Sequence, residues 1–222
     1  MKVVVAILLG SLSLQVAAAE FTLSSTDIKP GSTLSNAQVF NGFGCTGANV
    51  SPALSWSGAP AGTQSYALTV HDPDAPTGSG WWHWVAINIP ASTSSLAKGA
   101  GTADGKALPT GTQQVRTDFG AYGFGGACPP PGDKPHRYIF TLYALKVPKL
   151  DVPADATAAL AGYMINGNML AKASFTAYYG RCGFLAGAAR EPPLRKSRTS
   201  IRHELQRLVH QAIARAAGKS HQ

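Results

Sequence analysis

The chain has 222 residues, of which 14% are charged and 45% hydrophobic, and it is rich in turn residues, with 24 glycines and 15 prolines. This composition excludes a disordered chain and argues against a helical bundle. The net charge of +8 belongs mainly to the end of the chain: residues 20–180 carry nine basic and nine acidic side chains, and residues 181–222 carry nine basic against two acidic. We therefore expect no nucleic-acid binding by the main domain.

Residues 1–19 are typical of a cleavable export signal. Lys2 gives a positive start, residues 3–16 form an apolar run, and Ala17-Ala18-Ala19 is a small-residue cleavage site. The apolar run is shorter than the roughly 20 residues that span a bilayer. We expect an exported protein, periplasmic or secreted, that begins near Glu20.

Residues 20–180 are predicted to form one domain, mainly β. Short strand patterns are separated by long, turn-rich connections, which favours an antiparallel β-sandwich. The predicted strands cover residues 21–23, 53–57, 66–71, 82–89, 137–145 and 174–179. Asp155 is predicted to cap a helix over 156–172, broken near 166–167.

The three cysteines would meet an oxidising compartment after export. Cys45 and Cys128 both lie in glycine-rich loops of the neutral domain, so we predict that they form a disulfide. Cys182 would then be free or intermolecular. The spacing of cysteines and histidines does not suit zinc, and we predict no metal or cofactor.

Residues 181–222 form a basic extension that we expect to be partly helical or disordered. Within it, residues 197–218 place apolar side chains on one helical face. Such a helix could contact a membrane surface or a partner. The alternatives are an appended disordered segment or a non-native end.

A rigid acidic turn follows the strand predicted over 66–71. It reads Asp-Pro-Asp-Ala-Pro at 72–76, and its prolines hold Asp72 and Asp74 in fixed directions. The turn is either an ordinary polar turn or part of a site. A metal site built from His71, Asp72 and His83 is disfavoured, because His71 and Asp72 point to opposite faces of a strand.

The next strand opens with Trp81-Trp82-His83-Trp84. Strict alternation would place His83 on one face, with Trp82 and Trp84 on the other. A histidine in this setting is either a structural, hydrogen-bonded residue or a ligand-binding group.

A proline-rich loop precedes the strand predicted over 137–145. It delivers His136 and Tyr138, which are two residues apart and so share a face. Arg137 points the other way and is expected to pair with an acidic residue such as Asp74.

Asp72, His83, His136 and Tyr138 together favour a site for a phosphate-like or carboxylate anion. Imidazole and phenol groups can donate to anion oxygens, while Asp72 orients a histidine. The backbone N–H groups of residues 125–127 could supply further donors.

These motifs resemble those of the phosphatidylethanolamine-binding proteins, and specifically the bacterial Raf-kinase-inhibitor-like (YbhB/YbcL-type) branch, with the exported YbcL type most similar. The resemblance covers residues 21–179. It rests on 72–76, on Gly-Trp-Trp-His-Trp-Val at 80–85, on Cys-Pro-Pro-x-Gly-Asp-x-Pro-His-Arg-Tyr at 128–138, and on the segments 41–45 and 49–56.

The resemblance implies a β-sandwich with a few short helices and a small pocket for phosphate-type headgroups. It places Asp72, His83, His136 and Tyr138 in the pocket, with Pro76 and the loop around Gly126 as walls. Ala127 stands where this branch commonly has proline. The resemblance also implies possible modulation of a partner protein, whereas kinase inhibition is only a family label.

Two alternatives to a binding protein stay open. One is a hydrolase that acts on a phosphoester through Asp72, His83 and His136, although no Gly-x-Ser-x-Gly or other nucleophile motif is present. The other is an interaction protein with a vestigial pocket. We expect a binding protein and not an enzyme.

Overall fold

The computed structural model describes residues 20–183, so the predicted export signal and most of the basic extension lie outside the described residues. The described part contains ten β-strands, one α-helix and a single 3-10 turn. The elements are β1 (Thr22–Ser24), β2 (Asn41–Gly42), β3 (Cys45–Thr46), β4 (Leu54–Ser57), β5 (Ser65–Asp72), β6 (Trp81–Pro90), β7 (Ser95–Leu96), β8 (Gln113–Gln114), β9 (His136–Leu145), α1 (Ala158–Asn168) and β10 (Met169–Tyr179).

Two antiparallel sheets face each other, as the strand pattern predicts. The larger sheet has the order β10-β9-β5-β6-β8, and the smaller has the order β1-β4-β7. Leu54 and Trp56 of the small sheet pack with Leu68 and Phe140 of the large sheet in one buried cluster. This inter-sheet core confirms the predicted mainly β sandwich.

The other face of the large sheet is covered by α1 and the loop before it. Ala161 and Ile165 of α1 pack with Val85 and Ile87 of β6 in a second buried cluster. The central strands β5 and β6 are thus buried on both faces, which makes them a rigid support for residues at their ends. None of the helices among residues 20–183 is long and apolar enough to cross a membrane.

The helix predicted over 156–172 is shorter than expected at both ends. Thr157 is the N-cap and its hydroxyl accepts the Leu160 N–H at 3.1 Å, so Asp155 is not the cap. Gly167 lies inside α1, and residues from Met169 onward form β10. The alanines and leucine after 168 favour a helix locally, but pairing of β10 along the length of β9 overrides that preference.

A β-bulge at His83 places Trp82 and Trp84 on opposite faces of the large sheet. Val70 pairs with Trp84 and His71 pairs with Trp82, so His83 has no partner of its own on β5. Trp84 therefore lies in the inter-sheet core, while Trp82 packs on the opposite face, 4.3 Å between ring centroids from His71. The prediction that Trp82 and Trp84 share a face opposite His83 is wrong, because it assumed uninterrupted alternation.

The predicted disulfide joins Cys45 of β3 to Cys128 in the loop before β9, with their Cα atoms 6.0 Å apart. Cys182 is a free, exposed thiol. Arg181 lies against the same region: its guanidinium donates to the carbonyls of Pro129 at 2.6 Å and Gly44 at 3.1 Å. Arg181, which the sequence assigns to the basic extension, thus packs against the domain.

Candidate functional site

A cavity of about 210 Å³ opens where β5 ends, β6 begins and β9 begins. These strand ends come together because β5 is paired with both β6 and β9. The cavity is lined by Phe43, Asp72, Ala75, Pro76, Thr77, Trp81, His83, Phe119, Cys128, Pro129, Pro130, His136 and Tyr138. The structure therefore brings together the predicted Asp72, His83, His136, Tyr138 and Pro76, and it also brings in the aromatic residues Trp81, Phe43 and Phe119.

Asp72 is buried, with 2% of its surface exposed, and its two oxygens are already engaged. One oxygen accepts the backbone N–H groups of Asp74 at 2.8 Å and Ala75 at 3.2 Å. The other lies 2.7 Å from Nδ1 of His136. Asp72 therefore shapes the proline-bounded turn and orients His136, in the role the sequence predicts, and its oxygens are not free for a ligand.

His136 lies between two carboxylates. Nδ1 faces Asp72, and Nε2 lies 3.3 Å from an oxygen of Asp133, whose side chain is 43% exposed. Both ring nitrogens can donate to these oxygens only when both carry hydrogen. Asp133 was not singled out by the sequence reasoning, although its position three residues before His136 in the proline loop was the available signal.

His83 is held by a reciprocal pair of hydrogen bonds with Gly125. Its Nδ1 lies 2.8 Å from the Gly125 carbonyl oxygen, and the Gly125 N–H donates to the His83 carbonyl at 2.8 Å. Burial lowers the pKa of His83 to about 4. The ring is therefore neutral near pH 7, with its hydrogen on Nδ1 and a lone pair on Nε2.

Tyr138 and Trp81 carry the polar atoms of the cavity that lack a protein partner. The Tyr138 hydroxyl and the Trp81 indole nitrogen are both buried, and neither finds an acceptor for its hydrogen among residues 20–183. Burial raises the pKa of Tyr138, so its hydroxyl keeps its hydrogen. A buried donor without an acceptor is costly, so these two groups mark the place where a ligand oxygen would be most stabilised.

The loop at 125–127 does not supply donors to the cavity, which corrects the sequence expectation. Its N–H groups are taken by the carbonyl of His83, by the side-chain oxygen of Asn49 at 2.7 Å and by the carbonyl of Gln38 at 3.0 Å. Gly126 is absent from the cavity lining. A Cβ at Gly126 would meet the Gln38 carbonyl oxygen at 2.4 Å, so this glycine permits close backbone packing behind His83.

Aromatic rings form the mouth of the cavity. Phe119 stacks on Phe40 at 4.3 Å between centroids and contacts Trp81 edge-on at 5.4 Å. Phe43, 69% exposed, completes the rim. No lysine or arginine lines the cavity in the described part of the chain.

The predicted pair between Arg137 and Asp74 is confirmed and lies outside the cavity. The guanidinium donates to both Asp74 oxygens, at 2.8 and 2.9 Å, and holds the pKa of Asp74 at about 2. The structure places His71 apart from the cavity: Nε2 of His71 contacts the Ser79 carbonyl, the ring packs on Trp82, and the residue is absent from the cavity lining. Within residues 20–183, no group of three metal-ligating side chains is placed to hold an ion.

Comparison with known proteins gives consistent matches. The family description "Phosphatidylethanolamine-binding protein" matches residues 24–180. The chain is 53% identical over 176 residues to the UPF0098 protein YbcL of Escherichia coli, covering 79% of this chain and 96% of YbcL. It is 49% identical over 157 residues to the UPF0098 protein YbhB of the same organism, covering 71% of this chain and 98% of YbhB.

Two further matches bear on the fold and on the compartment. The crystal structure of E. coli YbcL, described as a new member of the mammalian PEBP family, matches with a TM-score of 0.72 and 56% identity, covering 73% of this chain and 99% of that chain. The putative lipoprotein LppC of Mycobacterium tuberculosis is 43% identical over 123 residues, covering 55% of this chain and 56% of LppC.

Proposed function

The chain belongs to the phosphatidylethanolamine-binding protein family, and from this premise we propose that it is an exported binding protein whose cavity holds a small phosphate-like anion, free or as a phospholipid headgroup. The observation that carries the proposal is the pair of unpartnered donors, the Tyr138 hydroxyl and the Trp81 indole N–H, in side chains that line one cavity. His136 adds a further donor at Nε2 in the form of the ring that carries hydrogen on that nitrogen. Phosphate oxygens are strong acceptors for such groups.

The size and lining of the cavity favour a small group over a whole lipid. At about 210 Å³ it is smaller than the roughly 300–1,000 Å³ of sites for drug-sized ligands. The walls are mostly aromatic and proline side chains, with polar atoms limited to a few positions. A headgroup fits this space, and any acyl chains would remain outside.

The absence of lysine and arginine from the lining limits affinity. A phosphate in this cavity would be held by neutral donors and by His136, close to the carboxylates of Asp72 and Asp133. We therefore expect weak binding, on the order of millimolar, which corresponds to about 4 kcal/mol.

A binding role accounts for the lining residues better than hydrolysis does. The Cys128 sulfur is in the disulfide, and the Thr77 hydroxyl donates to the Gly80 carbonyl. No serine lines the cavity in the described chain. The oxygens of Asp72, the base that hydrolysis would require, are engaged by backbone N–H groups and His136.

Export is supported by two independent features. The first nineteen residues have the pattern of a cleavable signal. The Cys45–Cys128 disulfide suits an oxidising compartment. The similarity to LppC, a putative lipoprotein, agrees with this placement.

A titration of the mature chain with inorganic phosphate and with phosphoethanolamine tests the proposal, read by tryptophan fluorescence because Trp81 lines the cavity. We expect weak, saturable binding of both, reduced about tenfold by Tyr138→Phe. Tyr143→Phe is the matched control, since Tyr143 lies on the same strand and packs on the opposite face of the sheet. The absence of saturable binding of either anion would refute the proposal.

A further inference from the structure

His83 presents a hydrogen-bond acceptor to a cavity whose unpartnered polar groups, the Tyr138 hydroxyl and the Trp81 indole N–H, are donors. A backbone carbonyl can only accept, so the 2.8 Å contact between Nδ1 and the Gly125 oxygen requires the hydrogen on Nδ1. The Gly125 N–H also donates to the His83 carbonyl, so Gly125 is bound to His83 through both its N–H and its carbonyl group. The ring is also confined between Tyr138 and Phe119, at 5.0 and 5.3 Å between centroids. Since Nδ1 is engaged, Nε2 is the nitrogen left for a ligand.

The neutral state of His83 follows from its surroundings. With 3% of its surface exposed, its charged form is poorly solvated, and burial lowers its pKa to about 4. The titratable groups that face it are Asp72, His136 and Tyr138 in the cavity and His71 across the sheet. The Asp72 charge opposes the shift and His71 adds to it, but burial is the larger effect.

A ligand that satisfies this cavity needs acceptor oxygens and one hydrogen. The acceptors would meet the Tyr138 hydroxyl and the Trp81 indole N–H, and the hydrogen would meet Nε2 of His83. A monoprotonated phosphomonoester has both, because it carries three terminal oxygens, one of them a hydroxyl. Sulfate and phosphodiesters have acceptors only, and would place an oxygen lone pair against the Nε2 lone pair.

We propose that the cavity selects proton-bearing phosphomonoesters over phosphodiesters and sulfate, with His83 as the residue that determines this specificity. The proposal rests on the proposed anion-binding function and names the ligand class. Intact phospholipids are phosphodiesters, so the preferred ligand is a cleaved or soluble phosphomonoester. Sites built to pair a ligand hydrogen strongly reject analogues that lack it.

A matched pair of probes tests the selection on the mature chain: phosphoethanolamine, a monoester, and glycerophosphoethanolamine, the diester with the same amine, with sulfate as a third probe. Near pH 6 we expect phosphoethanolamine to bind at least about tenfold more tightly than either of the others. Circular dichroism at each pH verifies that the protein is folded.

Lowering the pH to 4 should reduce this selectivity in a defined way. The diester and sulfate can bind once Nε2 gains a hydrogen, so their affinity should rise more than tenfold as the pH approaches the His83 pKa of about 4. Phosphoethanolamine should gain only about twofold, because its second pKa is about 6 and half of it already carries the hydrogen at pH 6.

The ¹⁵N NMR signals of the His83 ring report the same event directly. We expect Nε2 to keep its lone pair in the free protein near pH 6 and to gain a hydrogen when sulfate binds at low pH, with His71 as the internal control. His83→Gln should lose the preference for the monoester, because an amide offers either a donor or an acceptor.

Equal affinities of the three probes near pH 6, or an Nε2–H in the free protein, would overturn the selection while leaving the anion pocket intact. No saturable binding of any probe at either pH would instead overturn the proposed function itself, and the selection with it.

Discussion

Replacing Asp133 by asparagine is expected to strengthen phosphate binding. Asp133 places a carboxylate oxygen 3.3 Å from Nε2 of His136. When it carries hydrogen, that nitrogen is a donor that an anion in the cavity can use, so the Asp133 oxygen competes for it from just outside the cavity lining. Asp133→Asn removes the negative charge beside the bound anion and leaves only a neutral amide oxygen, a weaker competing acceptor.

The size of the effect follows from the geometry. A phosphate oxygen on Nε2 would place the two negative charges about 4 Å apart, where unit charges repel by about 1 kcal/mol in water and about 4 kcal/mol at an effective dielectric constant of 20. The Asp133 side chain is 43% exposed, so solvent screening favours the lower value. A gain of about 1 kcal/mol corresponds to about fivefold in Kd.

Isothermal titration calorimetry of both proteins with phosphate measures this gain, and added salt should reduce it because the charge is partly exposed. Asp151→Asn is the matched control: it removes the same charge from an exposed position in the loop that covers the opposite face of the sheet. An unchanged or weaker affinity in Asp133→Asn would show that Asp133 does not compete for His136.

Three further predictions concern stability. Tyr138→Phe should leave the free energy of unfolding in urea unchanged or raise it by up to about 1 kcal/mol, because it removes a buried hydroxyl that lacks a partner; a clear loss would show that the hydroxyl is paired in solution. Replacing Cys45 and Cys128 by alanine should lower the free energy of unfolding by up to about 4.6 kcal/mol, the chain-entropy value for a bridge across 83 residues. Alkylation followed by mass spectrometry should find only Cys182 free in the unmodified chain. Since Arg137 holds the Asp74 pKa at about 2, against an ordinary 3.8, the stability from this pair is present above pH 4 and lost as the pH falls towards 2; Asp74→Asn should flatten that part of the stability profile.

The large features of the fold could be predicted from local patterns. The strong strands β5, β6 and β9 carry continuous apolar segments bounded by proline or glycine, and the structure places each within one or two residues of its prediction. The start of β10 could not be predicted in this way, because its first residues favour a helix and only pairing with β9 makes them a strand.

Five of the six predicted ligand-binding residues line the cavity, all but Gly126, whereas the aromatic lining and the hydrogen bonding of the site were not predictable. Period-two spacing was sufficient to place His136 and Tyr138 on one side and Arg137 on the other. The loop at 125–127 also looked like a source of free donors, yet its N–H groups pair with His83, Asn49 and Gln38. All three partners lie far away in the sequence, so no local pattern reveals them.

The bulge at His83 cannot be predicted from the sequence motif, yet the geometry of the site depends on it. An uninterrupted β6 would place His83 on the face opposite Trp84, towards α1 and away from Tyr138. Because of the extra residue, the side chains of His83 and Trp84 both lie on the inter-sheet side of β6. His83 therefore contacts Tyr138 and Gly125, while Trp84 stays in the core. Bulges are known to re-aim side chains at sites, and this one also determines which nitrogen of His83 carries the hydrogen, because it brings Nδ1 to the Gly125 carbonyl. The selectivity we propose for the cavity is thus a consequence of one irregularity in strand pairing, which the motif Trp-Trp-His-Trp does not by itself disclose.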